Sequence, residues 1–464
     1  MKKQLILILT LILLVGITAG VLLIVSNIET KQEEEKTRTE QEKILMSLNS
    51  NDINKIEIKT TENTYSAYLN DNGKWELENK LDFEINTYYL NSLATQLSTL
   101  TAEDIICPLS EANLADYGLS NPVDVITLYT NDTTNIINVG NLSATGDFYY
   151  VTIDGRDNVY GVSVDYADYL CANKNSLKSI YILRNSDSEI DSVSLEAHGE
   201  LVYDLQMNSE NIWEIKEPAA LADRVNAANV NNLLTTIRQM IVDKFGDEKV
   251  TEDKYKDYGF DKPDYTFTFT QKNGETTTLL AQDYDVDGNS FVTLICKETG
   301  QIFYMQSSYT AFLQDTADTF VTKTAYTCSD ADIDKVNIEW KERSNAEITI
   351  DEENSKYTLN GKSLEGDAAE ALNNFYNKLS ALQYDNLVLK CPIDEKKESP
   401  EITITYVKKD GTKNVFEFYK VDDENYAVFM DGEYDNFTVI KKNFTAREGI
   451  YDFYDRLLDA AEMD

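Results

Sequence analysis

Three stretches of this chain repeat one pattern. Asp52-Ile53-Asn54-Lys55-Ile56-Glu57-Ile58 returns as Glu189-Ile190-Asp191-Ser192-Val193-Ser194-Leu195 and again as Asp332-Ile333-Asp334-Lys335-Val336-Asn337-Ile338. Behind each come an aromatic hairpin residue (Trp75, Trp213, Tyr357), a helical pattern, and a proline that opens a run of strands (Pro122, Pro263, Pro400). A period of roughly 140 residues is too long for a solenoid unit and marks tandem copies of a small domain. The length of 464 residues agrees, because it accommodates about three cores of ordinary size.

Acidic residues outnumber basic ones 81 to 42, giving a formal charge of −39 spread over all three repeats. Such a surface repels phosphate backbones and anionic headgroups, so no nucleic-acid partner is expected. Cationic ligands, divalent metals and plain solubility remain compatible with it. Five cysteines (Cys107, Cys171, Cys296, Cys328, Cys391) stand far apart, forming neither a C-x-x-C pair nor a disulfide framework. They read as free, small apolar residues.

Residues 5–25, Leu5 to Val25, form an uncharged run rich in Leu, Ile and Val behind Lys2 and Lys3. At 1.5 Å per residue the run spans about 30 Å, one bilayer crossing. It continues past Thr18-Ala19-Gly20, the one site resembling a cleavage signal, so an uncleaved signal-anchor helix is expected over 1–28. Counting positive charges does not fix the orientation, since Lys31, Lys36, Arg38 and Lys43 outnumber Lys2 and Lys3. The short stub before a long body favours placing that body outside the cytoplasm. Residues 29–48 lack apolar periodicity and read as a charged, helical juxtamembrane stalk.

Within each repeat the alternation Ile53, Ile56, Ile58 predicts a half-buried strand, and Asn72-Gly73 before Trp75 predicts a hairpin. A helix capped by Asn86 follows, with Leu90, Leu93, Leu97 and Leu100 on one stripe; Val230, Leu233, Ile237 and Met240 repeat it, as do Phe375, Leu379 and Leu382. Leu114-Ala115-Asp116-Tyr117-Gly118-Leu119-Ser120-Asn121-Pro122 is echoed by Tyr255-Lys256-Asp257-Tyr258-Gly259-Phe260-Asp261-Lys262-Pro263. Glycine followed by a hydrophobe predicts a left-handed stop in which Leu119 meets Leu114 and Phe260 meets Tyr255.

The Trp hairpin, the amphipathic helix, Tyr-Gly-Leu-x-x-Pro, Asn138-Val139-Gly140, Phe148-Tyr149-Tyr150-Val151 and Asn158-Val159-Tyr160-Gly161-Val162 together resemble the bacterial domain-of-unknown-function family numbered 4340. The resemblance covers residues 75–183 and, with Phe260 in place of leucine, 213–325. The third copy lacks the Tyr-Gly element before Pro400. The resemblance implies membrane anchoring and partnership with ABC-transporter subunits of the gliding-motility or auxiliary type. It carries no catalytic residues.

Several chemistries can be weighed on single residues. The one histidine, His198, precedes Gly199 between two strand patterns and reads as a turn, which leaves Ser-His-Asp catalysis and histidine-ligated zinc without support. Asn360-Gly361-Lys362-Ser363 resembles the end of a phosphate loop, but Lys356 stands where the earlier glycine belongs; a hairpin turn explains it. Asp283, Asp285 and Asp287, followed by Gly288, alternate as in the first half of a calcium loop, although Leu294 occupies the place of the closing acid. These three aspartates are the candidate metal ligands; no cofactor is expected.

The expectation is an α+β protein: a transmembrane helix, a stalk, and repeat domains over 49–185, 186–328 and 329–464, each of antiparallel strands with one main amphipathic helix. Its expected role is that of a non-catalytic, extracytoplasmic accessory or scaffold protein of an ABC-type transport system. Capture of cell-wall glycan or peptide by the many tyrosines is the alternative. Hydrolysis by an acid pair, for which 81 acids supply any spacing, stands behind both.

Overall fold

The computed structural model describes residues 25–26, 33, 35–78, 83–183, 188–286, 289–326, 332–351, 356–394 and 399–463. The chain divides into two compact units, one up to residue 184 and one from 185 onward. The first unit holds one sheet and the second holds two.

In the first sheet β1 (Lys55–Thr60), β2 (Thr64–Leu69) and β3 (Trp75–Leu77) form a meander, β4 (Asp104–Pro108) stands apart, and β5 (Asp124–Tyr129), β6 (Thr134–Leu142), β7 (Phe148–Ile153) and β8 (Asn158–Ser163) follow as hairpins. The order is β3-β2-β1-β5-β6-β7-β8-β4. Every pairing is antiparallel, so one face can be apolar and the other wet. Ile56, Ile58, Ile126, Leu128, Ile137, Val139 and Val151 are all at most 1% exposed on the inner face.

The second sheet repeats this order strand for strand, from β9 (Ile190–Ala197), β10 (Glu200–Met207), β11 (Trp213–Glu217), β12 (Lys244–Phe245), β13 (Tyr265–Gln271), β14 (Thr276–Val286), β15 (Asn289–Cys296) and β16 (Gln301–Gln306). The third comprises β17 (Ile333–Trp340), β18 (Ala346–Asp351), β19 (Lys356–Leu359), β20 (Lys362–Leu364), β21 (Asn386–Leu387), β22 (Ile402–Lys408), β23 (Lys413–Lys420), β24 (Asn425–Met430) and β25 (Glu433–Ile440). It keeps the same order and adds β20 at the edge. The expected α+β class of antiparallel sheets and helices is what the chain adopts.

One main helix covers the inner face of each sheet: α1 (Thr87–Ser98), α2 (Ala227–Gln239) and α3 (Asp367–Ser380). Leu90, Leu93 and Leu97, Val230, Leu233 and Ile237, and Phe375 and Leu379 are buried on the predicted stripes. The Asn86 side chain caps α1 by accepting from Tyr89 N–H, and Asn226 caps α2 in the same way. Trp75 joins hairpin to helix by donating its indole N–H to Asn91 Oδ1 at 2.8 Å.

The Tyr-Gly stop takes the predicted form. Gly118 has φ +72°, Leu119 N–H donates to Leu114 O at 2.8 Å, and Gly118 N–H donates to Ala115 O at 3.2 Å. In the second copy Gly259 has φ +84° and Phe260 N–H donates to Tyr255 O at 2.9 Å, closing a 3-10 helix. The first copy needs glycine twice. A Cβ on Gly118 would lie 2.8 Å from the Asn141 backbone nitrogen, and one on Gly140 would lie 2.2 Å from Tyr117 O. The turn and β6 thus touch backbone to backbone, which Asn141 N–H seals with a 2.8 Å bond to Tyr117 O.

The stalk expected over 29–48 ends earlier. Residues 35–42 are helical and largely exposed, but Leu45 and Met46 are 2% and 5% exposed, and both donate their N–H groups to Leu100 O. Two apolar side chains behind a charged run have core to join, so residues 44–48 belong to the first domain. An equivalent strap enters the third copy, where Ala325 N–H donates to Leu382 O at 3.0 Å. The proposed membrane span, apart from Val25, lies outside the described residues. Among the described residues no helix is long and apolar enough to cross a membrane.

Candidate functional site

After β8 the chain of the first copy winds through short turns (Val164–Tyr166, Ala167–Leu170, Lys174–Leu177) that pack beside α1. Asn86 N–H ties the start of the helix to Leu177 O at 2.8 Å. Between helix and turns lies a groove of about 470 Å³ lined by Tyr88, Tyr89, Ser92, Asp168, Tyr169, Cys171, Asn173 and Ser176. Tyr89 and Tyr169 stack with ring centroids 6.1 Å apart, and the Tyr89 hydroxyl donates to Asp168 O at 2.7 Å. Tyr88 stands 78% exposed at the rim.

Asp124, the first residue of β5, is only 6% exposed and is not among the residues that line the groove. Its position is in phase with Ile126 and Leu128, so the carboxyl group faces the core. Burial alone pushes its pKa up to about 7. Its charge acts on Tyr89 and on Cys171, two residues of the groove wall. The Cys171 thiol is held above its ordinary value, chiefly by burial, and the Tyr149 hydroxyl is hydrogen-bonded to it. A thiol so placed is a poor nucleophile at neutral pH. The groove therefore offers tyrosine rings, amide and hydroxyl side chains and Asp168 rather than an activated nucleophile.

The second copy repeats the groove with different walls. Asn226 N–H is tied to Phe320 O at 2.7 Å, and a cavity of about 430 Å³ is lined by Asn229, Tyr309, Phe312, Asp315 and Phe320, among others. Strand register puts Tyr265 opposite Ala197 where the first copy puts Asp124 opposite Thr60. In the third copy the corresponding pair is Ile402 and Trp340, and the turns are replaced by α4 (Ile450–Ala460). Tyr454 of α4 is fully buried against Trp340 and Phe375, at ring separations of 5.6 and 5.3 Å.

A larger cavity, about 620 Å³, lies between the second and third copies within their shared unit. Arg224, on its wall, forms an ion pair with Asp435 of β25, which also accepts from the Tyr384 hydroxyl. The guanidinium lies 5.2 and 5.5 Å from the ring centroids of Tyr384 and Phe437. Burial raises the Asp435 pKa, while Tyr384 and Arg224 oppose that rise. Tyr326, next to Ala325 in the strap of the third copy, stacks on Tyr406 of β22 at 3.8 Å.

With these geometries in view, the model of a domain of unknown function (DUF4340) matches residues 75–253 and 213–403. The chain belongs to the DUF4340 family. Each match begins at a hairpin tryptophan, Trp75 or Trp213, and runs into the following copy. The second DUF4340 match reaches residue 403, further than the sequence resemblance indicated, because it takes in α3 and the start of β22. A search of curated proteins finds no match.

Of the sequence-predicted residues, Asp283 and Asp285 lie in β14, opposite Val292 and Ser290 of β15, and Asp287 lies outside the described residues. His198 sits in the β9–β10 turn at φ +50°, with its side chain 75% exposed and Nδ1 3.7 Å from Asp264 Oδ1. Lys362 follows the Asn360-Gly361 turn and donates to Ala461 O at 2.5 Å near the end of α4. Cys107, Cys171, Cys296 and Cys391 are free thiols; Cys328 lies outside the described residues. Asp124 escaped the sequence reading. Its signal was an acid in the apolar phase of Asp124-Val125-Ile126-Thr127-Leu128, visible only when set beside Tyr265 and Ile402.

Proposed function

We propose that the protein is a membrane-anchored, extracytoplasmic accessory or scaffold protein, without catalytic activity, that serves an ABC-type transport system. The observation that carries this reading is the junction of the second and third copies. Arg224, Asp435, Tyr384 and Phe437 form an ion pair flanked by aromatic rings, with the guanidinium and carboxylate side chains only 21% and 12% exposed. A buried ion pair of this kind specifies one arrangement of its partners more than it adds stability. Holding two similar modules in one arrangement suits a presenting surface, and the residues repeated among the copies are caps, turns and core positions. The apolar run at 5–25 supports anchoring.

Affinity purification of the full chain from detergent-solubilised membranes tests the reading. Recovery of transporter subunits that are lost when residues 5–25 are replaced by a cleavable signal is the expected result. Recovery of a free monomer from the soluble fraction would refute it.

A further inference from the structure

We propose that the grooves beside α1 and α2 are binding sites for a neutral pyranoside sugar, taken as a free saccharide or as part of a polysaccharide chain. This goes beyond the scaffold role and does not depend on it. In the first groove Tyr88, 78% exposed, holds a bare aromatic ring at the rim, where a pyranose ring can lay its C–H face. The half-buried ring of Tyr169 extends that surface. The polar groups of the lining are set in advance. Asn173 Oδ1 accepts from the N–H groups of Asn175 and Ser176 at 2.9 and 3.2 Å, and Asn86 Oδ1 accepts from Tyr89 N–H at 3.0 Å, so capping locks both side chains. Among the described residues their amide nitrogens have no acceptor, and the exposed carboxylate of Asp168 has no hydrogen bond or ion pair. Fixed donors beside an acceptor suit a sugar, whose every hydroxyl both donates and accepts, and locking them beforehand lowers the ordering cost of binding.

Two further observations narrow the ligand class. Among the described residues neither groove is lined by a lysine or arginine, and each holds one acid, Asp168 or Asp315, so an anionic ligand would meet repulsion in a body of charge −39. The second groove also assembles the same kinds of group from other positions. Aligned on the ties of Asn86 to Leu177 and of Asn226 to Phe320, Tyr88 and Asp168 match Ala228 and Ala311. The second copy draws its ring and its acid instead from Tyr309, 46% exposed, and Asp315, with Asn232 and Ser308 beside them. Ring, carboxylate, amide and hydroxyl thus return at one place in the fold although the backbone positions that carry the ring and the acid differ. The volumes, about 470 and 430 Å³, are within the range of small-ligand sites.

Isothermal titration of the full chain in detergent tests this with cellotetraose, maltotetraose and chitotetraose, with glucose and N-acetylglucosamine as single-ring probes and N-acetyl-tetraalanine amide as a neutral peptide. Saturable binding of at least one sugar, with one site per groove, is expected. Tyr88→Ala and Tyr309→Ala should each remove one site and together weaken binding at least about tenfold. Both side chains are exposed, so the variants should melt as the parent does. A tetramer bound more than about tenfold more tightly than its monomer assigns the sites to a polysaccharide chain; affinities within about tenfold assign them to a free saccharide. Either supports the proposal. Failure of every sugar to saturate by about 10 mM, equal binding of the peptide, or unchanged binding by the double variant would overturn it.

Discussion

In the first copy the space beside the main helix is an open groove, whereas in the third copy α4 fills that space with Tyr454 between Trp340 and Phe375. The sheets beneath have the same strand order. What differs is how completely the inner face is covered. Where a long amphipathic helix follows the last strand, aromatic side chains fill the space. Where short turns follow, as in the first and second copies, a cavity is left. A repeated fold therefore separates what the architecture requires from what one copy has acquired, since the requirement appears in all copies and the acquisition in one.

The strongest way to break this contrast is to empty the filled site. Tyr454→Ala should cost roughly 3–5 kcal/mol, measured by chemical denaturation, because it removes a fully buried ring. A loss below about 1 kcal/mol would mean that α4 does not seal the third copy. Next in size is the junction of copies two and three. Arg224→Ala leaves Asp435 buried beside Tyr384 and should cost about 3 kcal/mol, seen as earlier unfolding of the second unit.

The turn motif sharpens the comparison between the first and second copies. Gly259→Ala meets nothing nearer than 3.8 Å and should cost about 1–2 kcal/mol for its left-handed backbone. Gly118→Ala adds a Cβ 2.4 Å from Asn141 Oδ1 and should cost more, by at least about 1 kcal/mol. Equal losses in thermal melts would show that the first turn does not press on β6.

One effect has the opposite sign. Asp124 has a folded pKa of about 7 against an ordinary 3.8, so the folded state holds an extra proton between these values. Its contribution to stability therefore falls as pH rises from about 4 to 7 and stays unfavourable above. Asp124→Asn should stabilise the protein at pH 8 by on the order of 2 kcal/mol and by almost nothing at pH 4. A destabilised variant at pH 8 would show that the carboxylate has a stabilising partner.

Much of this architecture was legible because the repeats supply their own alignment. The stripe Leu90, Leu93, Leu97 and the stop at Gly118 follow from local rules, and they recur where the offset requires. The strap at Leu45 and Met46 was hidden because two apolar residues after a charged run give no periodicity. Asp124 was hidden for a different reason. A single acid at the head of a strand resembles an ordinary turn residue until strand pairing fixes its phase.

The claim on which everything rests is that one sheet is built three times in the same register. Cysteine pairs introduced into a cysteine-free chain at Glu57 and Thr127, Ser194 and Thr268, and Asn337 and Thr405 probe the same contact in each copy. Partners directly opposite in an antiparallel pair lie about 4.5–5.5 Å apart between Cα atoms, within disulfide reach. Crosslinking of all three pairs under mild oxidation, with pairs shifted by one residue reacting poorly, is the expected result. Failure of any one pair beside success of the others would contradict the tripled fold.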